Sequence, residues 1–167
     1  MGNKTPGFEI ERKFLIHMPD KIWLEEKASH IYKMRQTYLA SENGKNARVR
    51  QITEGDTVRY VHTVKKRISD LKREETEQEI SLEAYEALLK CADPERKTIE
   101  KTRYCVPYGQ HLMEIDIFPF WKDKVFLEIE LSEESEAFTL PTEIRVIREV
   151  TSDKRYTNAA LSKELPE

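Results

Sequence analysis

The chain has 167 residues, 35% of them charged and 38% hydrophobic, with a net charge of only -3. That length suits one domain able to bury a real core. Such balanced signs exclude a purely electrostatic nucleic-acid binder, which is basic overall, and no apolar run approaches the roughly 18 residues of a membrane helix.

Two cysteines, Cys91 and Cys105, occur without a metal-type spacing, which fits a reducing, cytoplasmic setting. Residues 1–7 lack the apolar core of a secretory signal and read as a disordered lead-in to a single domain spanning 1–167. Residues 8–16 then alternate as a strand, with Phe8, Ile10, Phe14 and Ile16 on one face and Glu9, Glu11 and Lys13 on the other. Two carboxylates and an ammonium on one face could hold a divalent cation beside an oxyanion, but taken alone the stretch reads rather as an outer strand whose polar face meets water. Pro19 and Asp20 open a short helix over 19–28, where Trp23 reads as a packing residue.

A second strand is predicted over 30–39, and Asn43-Gly44 marks a turn within 41–46. The third strand, 47–53, places Arg48, Arg50 and Ile52 together. A tight turn at Glu54-Gly55-Asp56 leads into a fourth strand over 57–66. There Arg59, Val61, Thr63 and Lys65 share one face, and His62 lies on the opposite, mostly apolar one.

Residues 72–80 suit a charged helix by local propensity. The two preceding strands and the following helix favour a strand with Arg73, Glu75, Glu77 and Glu79 on one face. Ser81 caps a helix over 82–92, ended by Asp93-Pro94. Strands follow over 98–106, with Lys101 and Arg103 together, and over 111–119, with Leu112, Glu114, Asp116 and Phe118 together. The strand over 125–131 sets Glu128 and Glu130 opposite Val125, Leu127, Ile129 and Leu131. Residues 132–167 form a charged capping segment, with a strand-like stretch at 144–150 and a short helix over 158–163.

Ionisable pairs two residues apart thus recur on strand after strand, opposite apolar faces. A flat sheet with a wet charged face fits this pattern. So does a barrel with the charges inside, and the small number of helices available to cover apolar faces favours the barrel. Buried charges require counter-ions. A polyanion with divalent metals supplies them: Arg and Lys neutralise phosphate oxygens, while Glu and Asp hold Mg²⁺ or Mn²⁺.

Glu9-Ile10-Glu11-Arg12-Lys13 resembles the Glu-x-Glu-x-Lys signature of the CYTH superfamily, also called triphosphate tunnel metalloenzymes. Arg48-Val49-Arg50, Lys65, Glu75 with Glu77, Lys101-Thr102-Arg103-Tyr104, Glu114 with Asp116, and Glu128 with Glu130 are similar to its further tunnel strands, in order. The segment from Arg148 through Arg155-Tyr156-x-Asn158 resembles the C-terminus of its short bacterial members. The resemblance implies a mainly β (α+β) fold: an eight-stranded antiparallel β-barrel around a tunnel, with a few helices outside. It implies a small-molecule substrate carrying a triphosphate and a need for Mg²⁺ or Mn²⁺.

The expected activity is hydrolysis of inorganic tripolyphosphate to pyrophosphate and phosphate. Lys13, Arg48, Arg50, Lys65, Lys101 and Arg103 would bind the phosphates. Glu9, Glu11, Glu77, Asp116, Glu128 and Glu130 would bind metal, with Glu9, Glu11 and Lys13 acting in catalysis. Adenylyl cyclase, thiamine triphosphatase and a non-catalytic polyphosphate-binding module are the alternatives. No nucleic-acid or membrane partner is expected, and a homodimer is left open. Glu75, Glu79, Glu114 and the C-terminal segment receive no assigned role.

Overall fold

The computed structural model describes residues 7–40, 45–69 and 71–165, with side chains for all of these except 7–9 and 45. The lead-in, apart from Gly7, and the Asn43-Gly44 turn lie outside the described residues, as does the side chain of Glu9. Gly7 already belongs to the first strand.

In chain order the elements are β1 (Gly7–His17), α1 (Lys21–Lys27), β2 (His30–Tyr38), β3 (Lys45–Glu54), β4 (Thr57–Arg67) and β5 (Lys72–Ile80). They continue with α2 (Leu82–Leu89), β6 (Ile99–Tyr108), β7 (His111–Ile117), β8 (Lys124–Leu131), β9 (Val146–Glu149) and α3 (Asn158–Leu161). Strands pair antiparallel in the order β5-β4-β3-β2-β6-β7-β8-β1, and a further pairing of β1 with β5 closes an eight-stranded barrel.

Strand β1 makes the closure. One edge pairs with β8 from Ile10 to His17. The other edge is shared, with β5 taking Gly7 to Ile10 and β9 taking Phe14 to Ile16. Arg12, a charge on the outer face, secures β9: its Nε donates to Glu149 Oε2 at 2.8 Å.

Local chemistry explains the turns and the contested strand. Gly55 opens the β3–β4 hairpin with φ 57°, the left-handed region that a two-residue turn of this kind demands. Residues 72–80 form a strand despite helical propensity, because both of their edges are taken, by β4 and by β1. Helix α2 ends earlier than its apolar pattern suggests. Residues 91 and 92 turn back on the end of β2, where Ala40 N–H donates to Cys91 O at 3.1 Å.

Outside the barrel, α1 buries Leu24 completely against Phe14, Ile16, Val125, Leu127 and Ile129. Helix α2 seats Tyr85 over Val49, Tyr60 and Ile80. Each fully buried side chain of this size contributes about 1.5–3 kcal/mol. Trp23 packs at the edge of the first cluster. His62 is half-buried on the outer face, and burial lowers its pKa.

The barrel interior is not charged throughout. On the same inward faces as the charged pairs, Leu15, Tyr38, Ile99, Phe118 and Phe126 meet Val150, Tyr156 and Leu161 from the C-terminal segment in an apolar floor. Trp121 packs on it, its ring 5.9 Å from Phe118 and 5.2 Å from Phe126.

Candidate active site

Above the apolar floor the inward side chains enclose a cavity of about 450 Å³. Because side chains alternate along each strand, residues two apart share the inward face, and β1, β3, β5 and β8 each bring at least two charges to the wall. Glu11 and Lys13 come from β1, Arg48 and Arg50 from β3, and Lys65 from β4. Glu75 and Glu77 come from β5, Arg103 from β6, Glu114 from β7, and Glu128 and Glu130 from β8.

Opposite charges interleave around the wall. Arg50 Nη2 donates to Glu77 Oε1 at 2.6 Å and to Thr63 Oγ1 at 3.2 Å. Lys65 Nζ lies 3.5 Å from Glu75 Oε2. Lys13 Nζ sits 4.0 Å from the centre of the Phe126 ring and 3.8 Å from Glu128 Oε1, so it bridges the apolar floor and the acidic strand. Burial lowers the Lys13 pKa, with Glu128 and Glu11 opposing the shift.

Glu128 responds in the opposite sense. Burial favours its protonated form, but Lys13 and Arg103 overcome this and hold its pKa near 2. Arg48 Nη1 reaches Gln36 Oε1 at 3.5 Å. The Nε atoms of Arg48 and Arg50 are buried without a hydrogen-bond partner. Such orphaned donors on a cationic wall call for an anion in the cavity.

Two of the residues singled out from the sequence sit behind the wall. Lys101 and Asp116 are buried and do not line the cavity. Asp116 accepts from Lys101 Nζ at 2.9 Å and from Arg103 Nε and Nη2 at 2.7 and 2.9 Å. Burial would raise its pKa, yet the Arg103 guanidinium and the Lys101 ammonium hold it well below the usual carboxylate range. Arg103 also donates to Glu114 Oε2 at 3.2 Å, which fixes its plane.

A divalent ion is implied by the sequence, and the acidic strands offer hard oxygen donors for one. Glu11 lies directly across from Glu130 in the β1–β8 ladder, and Glu128 lies across from Glu114 in the β7–β8 ladder. Among the described residues no three acidic, histidine or cysteine side chains converge into a metal cage by themselves. The arrangement fits a cation bound by one or two carboxylates that completes its shell with water and phosphate oxygens.

The cavity wall includes residues that the sequence did not single out as site residues. Arg59, Arg67 and Arg73 line it, as do Thr157, Asn158 and Ala159 of the C-terminal segment. Arg59 and Arg73 already stand on the charged faces read from the sequence, and Arg67 extends the period of two beyond Lys65, so continuing the alternation would have found it. Asn158 belongs to no such series.

The sequence profile of the CYTH domain matches residues 7–156. The chain is similar to an inorganic triphosphatase of Nitrosomonas europaea, with 36% identity over 165 residues, 95% of this chain and 99% of that protein. It is also similar to an inorganic triphosphatase of Acetivibrio thermocellus, with 34% identity over 159 residues, 94% of each. Among solved structures, the inorganic triphosphatase NE1496 superposes with a TM-score of 0.57 at 31% identity, covering 95% of this chain and 97% of that one. A protein of Pyrococcus horikoshii shares the fold, with a TM-score of 0.59 at 18% identity over 76% of this chain and 80% of that one. The profile match and both relatives extend over nearly all of the barrel, and the chain belongs to the CYTH domain family.

Proposed function

We propose that this protein is an inorganic triphosphatase that hydrolyses tripolyphosphate to pyrophosphate and phosphate in the cytoplasm. The observation that carries this reading is the single cavity in which Arg48 and Arg50 leave buried donors unused beside interleaved carboxylates. Both sequence relatives named above are inorganic triphosphatases.

In this reading Arg48, Arg50, Lys65 and Arg103 hold the non-bridging phosphate oxygens. Lys13 donates to the phosphoryl group under attack. Asp116 acts indirectly, fixing Arg103 so that its charge faces the substrate while pairing with Lys101 behind the wall. Glu11, with Glu9, orients the attacking water. Its oxygen forms the new bond to phosphorus as the bridging P–O bond to pyrophosphate breaks. Glu128 and Glu130 hold Mg²⁺ or Mn²⁺, with Glu77 as a further carboxylate. When bound, the ion neutralises phosphate charge and lowers the pKa of its water. The family resemblance carried by the sequence motifs implies dependence on a divalent metal. No described helix is long and apolar enough to cross a membrane, and Cys91 and Cys105 are both free thiols, which supports a reducing compartment. A homodimer is compatible with this site, which one chain supplies.

One observation favours a second reading. His30 and Tyr32 line the cavity with their rings stacked, 5.6 Å apart and 4° from parallel. They could receive the organic end of a nucleoside or thiamine triphosphate. Phosphate release from tripolyphosphate, ATP and thiamine triphosphate, each with Mg²⁺, Mn²⁺ or EDTA, separates the two readings. The proposal requires tripolyphosphate to give the highest kcat/KM and EDTA to abolish release. Faster turnover of an organic triphosphate transfers the assignment to it.

A further inference from the structure

Among the described residues, Thr157, Asn158 and Ala159 are the part of the cavity wall that no strand supplies. Their position is fixed by contacts outside the cavity. Tyr156 and Leu161 are buried in the apolar floor. Arg96 Nη1 donates to Ala159 O at 2.6 Å and to Ser162 Oγ at 3.3 Å. Lys97 N–H donates to Ser162 O at 2.6 Å. Thr157 Oγ1 accepts from Ala160 N–H at 3.0 Å. The backbone on both sides of Asn158 is therefore held without help from the Asn158 side chain.

That side chain carries an unused polar atom. Asn158 Oδ1 is buried and has no hydrogen-bond partner. A half-turn of the amide exchanges its oxygen for the NH₂ group at the same place. The position can thus offer N–H donors to the cavity. Arg48 Nε and Arg50 Nε are buried, unpartnered donors on the same wall. Unsatisfied buried polar groups are few in native proteins, and a shared cavity gives these three one explanation: a ligand rich in acceptor oxygens.

We propose that Asn158 is a substrate-binding residue whose side-chain amide donates to a non-bridging oxygen of a terminal phosphate, making the C-terminal segment part of the site. This inference rests on the triphosphatase reading. An amide suits the position. It adds donors without adding a further positive charge to a wall already crowded with arginines, and its planar group orients the phosphate it holds.

The test compares wild type with Asn158→Ala, Asn158→Asp and Asn158→Gln. Tripolyphosphate binding is read by calorimetry in EDTA, and KM and kcat are read with Mg²⁺. Loss of one hydrogen bond to a charged acceptor corresponds to roughly 10–100-fold weaker binding for Asn158→Ala, seen in Kd and KM with kcat little changed. Asn158→Asp sets a carboxylate against the polyanion and is expected to weaken binding by more than that. Asn158→Gln keeps the amide and should fall between wild type and Asn158→Ala. If Asn158→Ala fails to fold, the Asp and Gln variants decide by the same ordering. Wild-type affinity in both Asn158→Ala and Asn158→Asp, or equal weakening in all three variants, overturns the role of Asn158. A wild-type chain that neither binds nor hydrolyses tripolyphosphate overturns the triphosphatase reading itself.

Discussion

Lys101 Nζ donates to Asp116 Oδ2 at 2.9 Å, and neither side chain is more than 1% exposed. Behind a wall built for a polyanion, the barrel thus keeps an ion pair out of solvent. The pair is not isolated, because Asp116 also accepts two hydrogen bonds from Arg103. One carboxylate therefore compensates two cations, only one of which lines the cavity.

That asymmetry predicts unequal costs. Asp116→Ala leaves Lys101 buried without its counter-ion and removes the clamp on Arg103. Breaking a buried pair in this way costs about 3–5 kcal/mol. For a chain of this length that is a fall in melting temperature of about 10 °C. Lys101→Met should cost clearly less, since Asp116 retains both hydrogen bonds from Arg103. Urea unfolding of the two variants measures the difference, and equal losses would show that Asp116 does not organise the pair.

Arg50 carries the second prediction. Burial disfavours its charge, as does the neighbouring Arg48, while Glu77 offsets part of that cost. A cation so placed strengthens when a polyanion arrives. Arg50→Ala is expected to raise KM for tripolyphosphate by about 10–100-fold, the value of one charge-assisted hydrogen bond. Arg50→Lys should recover only part of the loss, because an ammonium cannot reproduce the two-pronged guanidinium contact. Steady-state kinetics on both variants check this, and an unchanged KM removes Arg50 from the phosphate site.

Much of this architecture was legible because strands have a period of two. Arg48 with Arg50, and Glu128 with Glu130, stand together on the cavity wall for that reason alone. The same period also marks Phe118 with Asp116 and Phe126 with Glu128 as sharing a face. It does not say that the interior changes from charged to apolar along the strand. That change depends on where each strand lies along the barrel and on what fills the end, here Tyr156 and Leu161. Asn158 was named in the C-terminal resemblance without a role, for a related reason. Its place in the wall depends on Arg96 and Lys97, 62 and 61 residues earlier in the chain, and no local pattern records that docking. Strand β9, within the strand-like stretch read at 144–150, is four residues long with every residue exposed, so nothing in it marked β1 as its partner.

The acidic strand β8 gives a prediction on metal binding. Glu130 is exposed, whereas Glu128 is buried against Lys13. Glu130→Gln should leave the unfolding midpoint nearly unchanged, since surface substitutions usually stay within about 0.5 kcal/mol. It should nevertheless raise the Mg²⁺ or Mn²⁺ concentration needed for half-maximal activity by about 10-fold or more. Glu128→Gln should abolish phosphate release and also shift stability, because Lys13 loses its charged partner. Activity measured across a metal titration, together with thermal melts, separates the two effects. A Glu130→Gln enzyme with wild-type metal dependence would exclude that carboxylate as a ligand.

Acid stability provides a test independent of catalysis. Glu136 Oε1 accepts from Ser132 Oγ at 2.5 Å and from Ser132 N–H at 2.6 Å, while Oε2 meets His111 Nε2 at 2.5 Å. The Ser132 hydroxyl, the Ser132 backbone N–H and then His111 hold its pKa at about 2, below the ordinary 4.5. A carboxyl group with a depressed folded pKa contributes stability that is fully present above its unfolded pKa and is lost as pH falls through the folded value. The contribution of Glu136 should therefore be complete above pH 4.5 and disappear as the pH approaches about 2. Glu136→Gln is expected to lower the urea midpoint at pH 7, and the gap from wild type should narrow steadily between pH 4.5 and 2. The loop that Glu136 closes also carries Phe138, whose ring packs edge-on against Phe14 of β1 at 5.9 Å, so the loss should reach the outer core. Urea titrations at pH 7, 4 and 2.5 measure the gap directly. A gap of the same size at all three values would mean that the ionised form of Glu136 does not stabilise the fold.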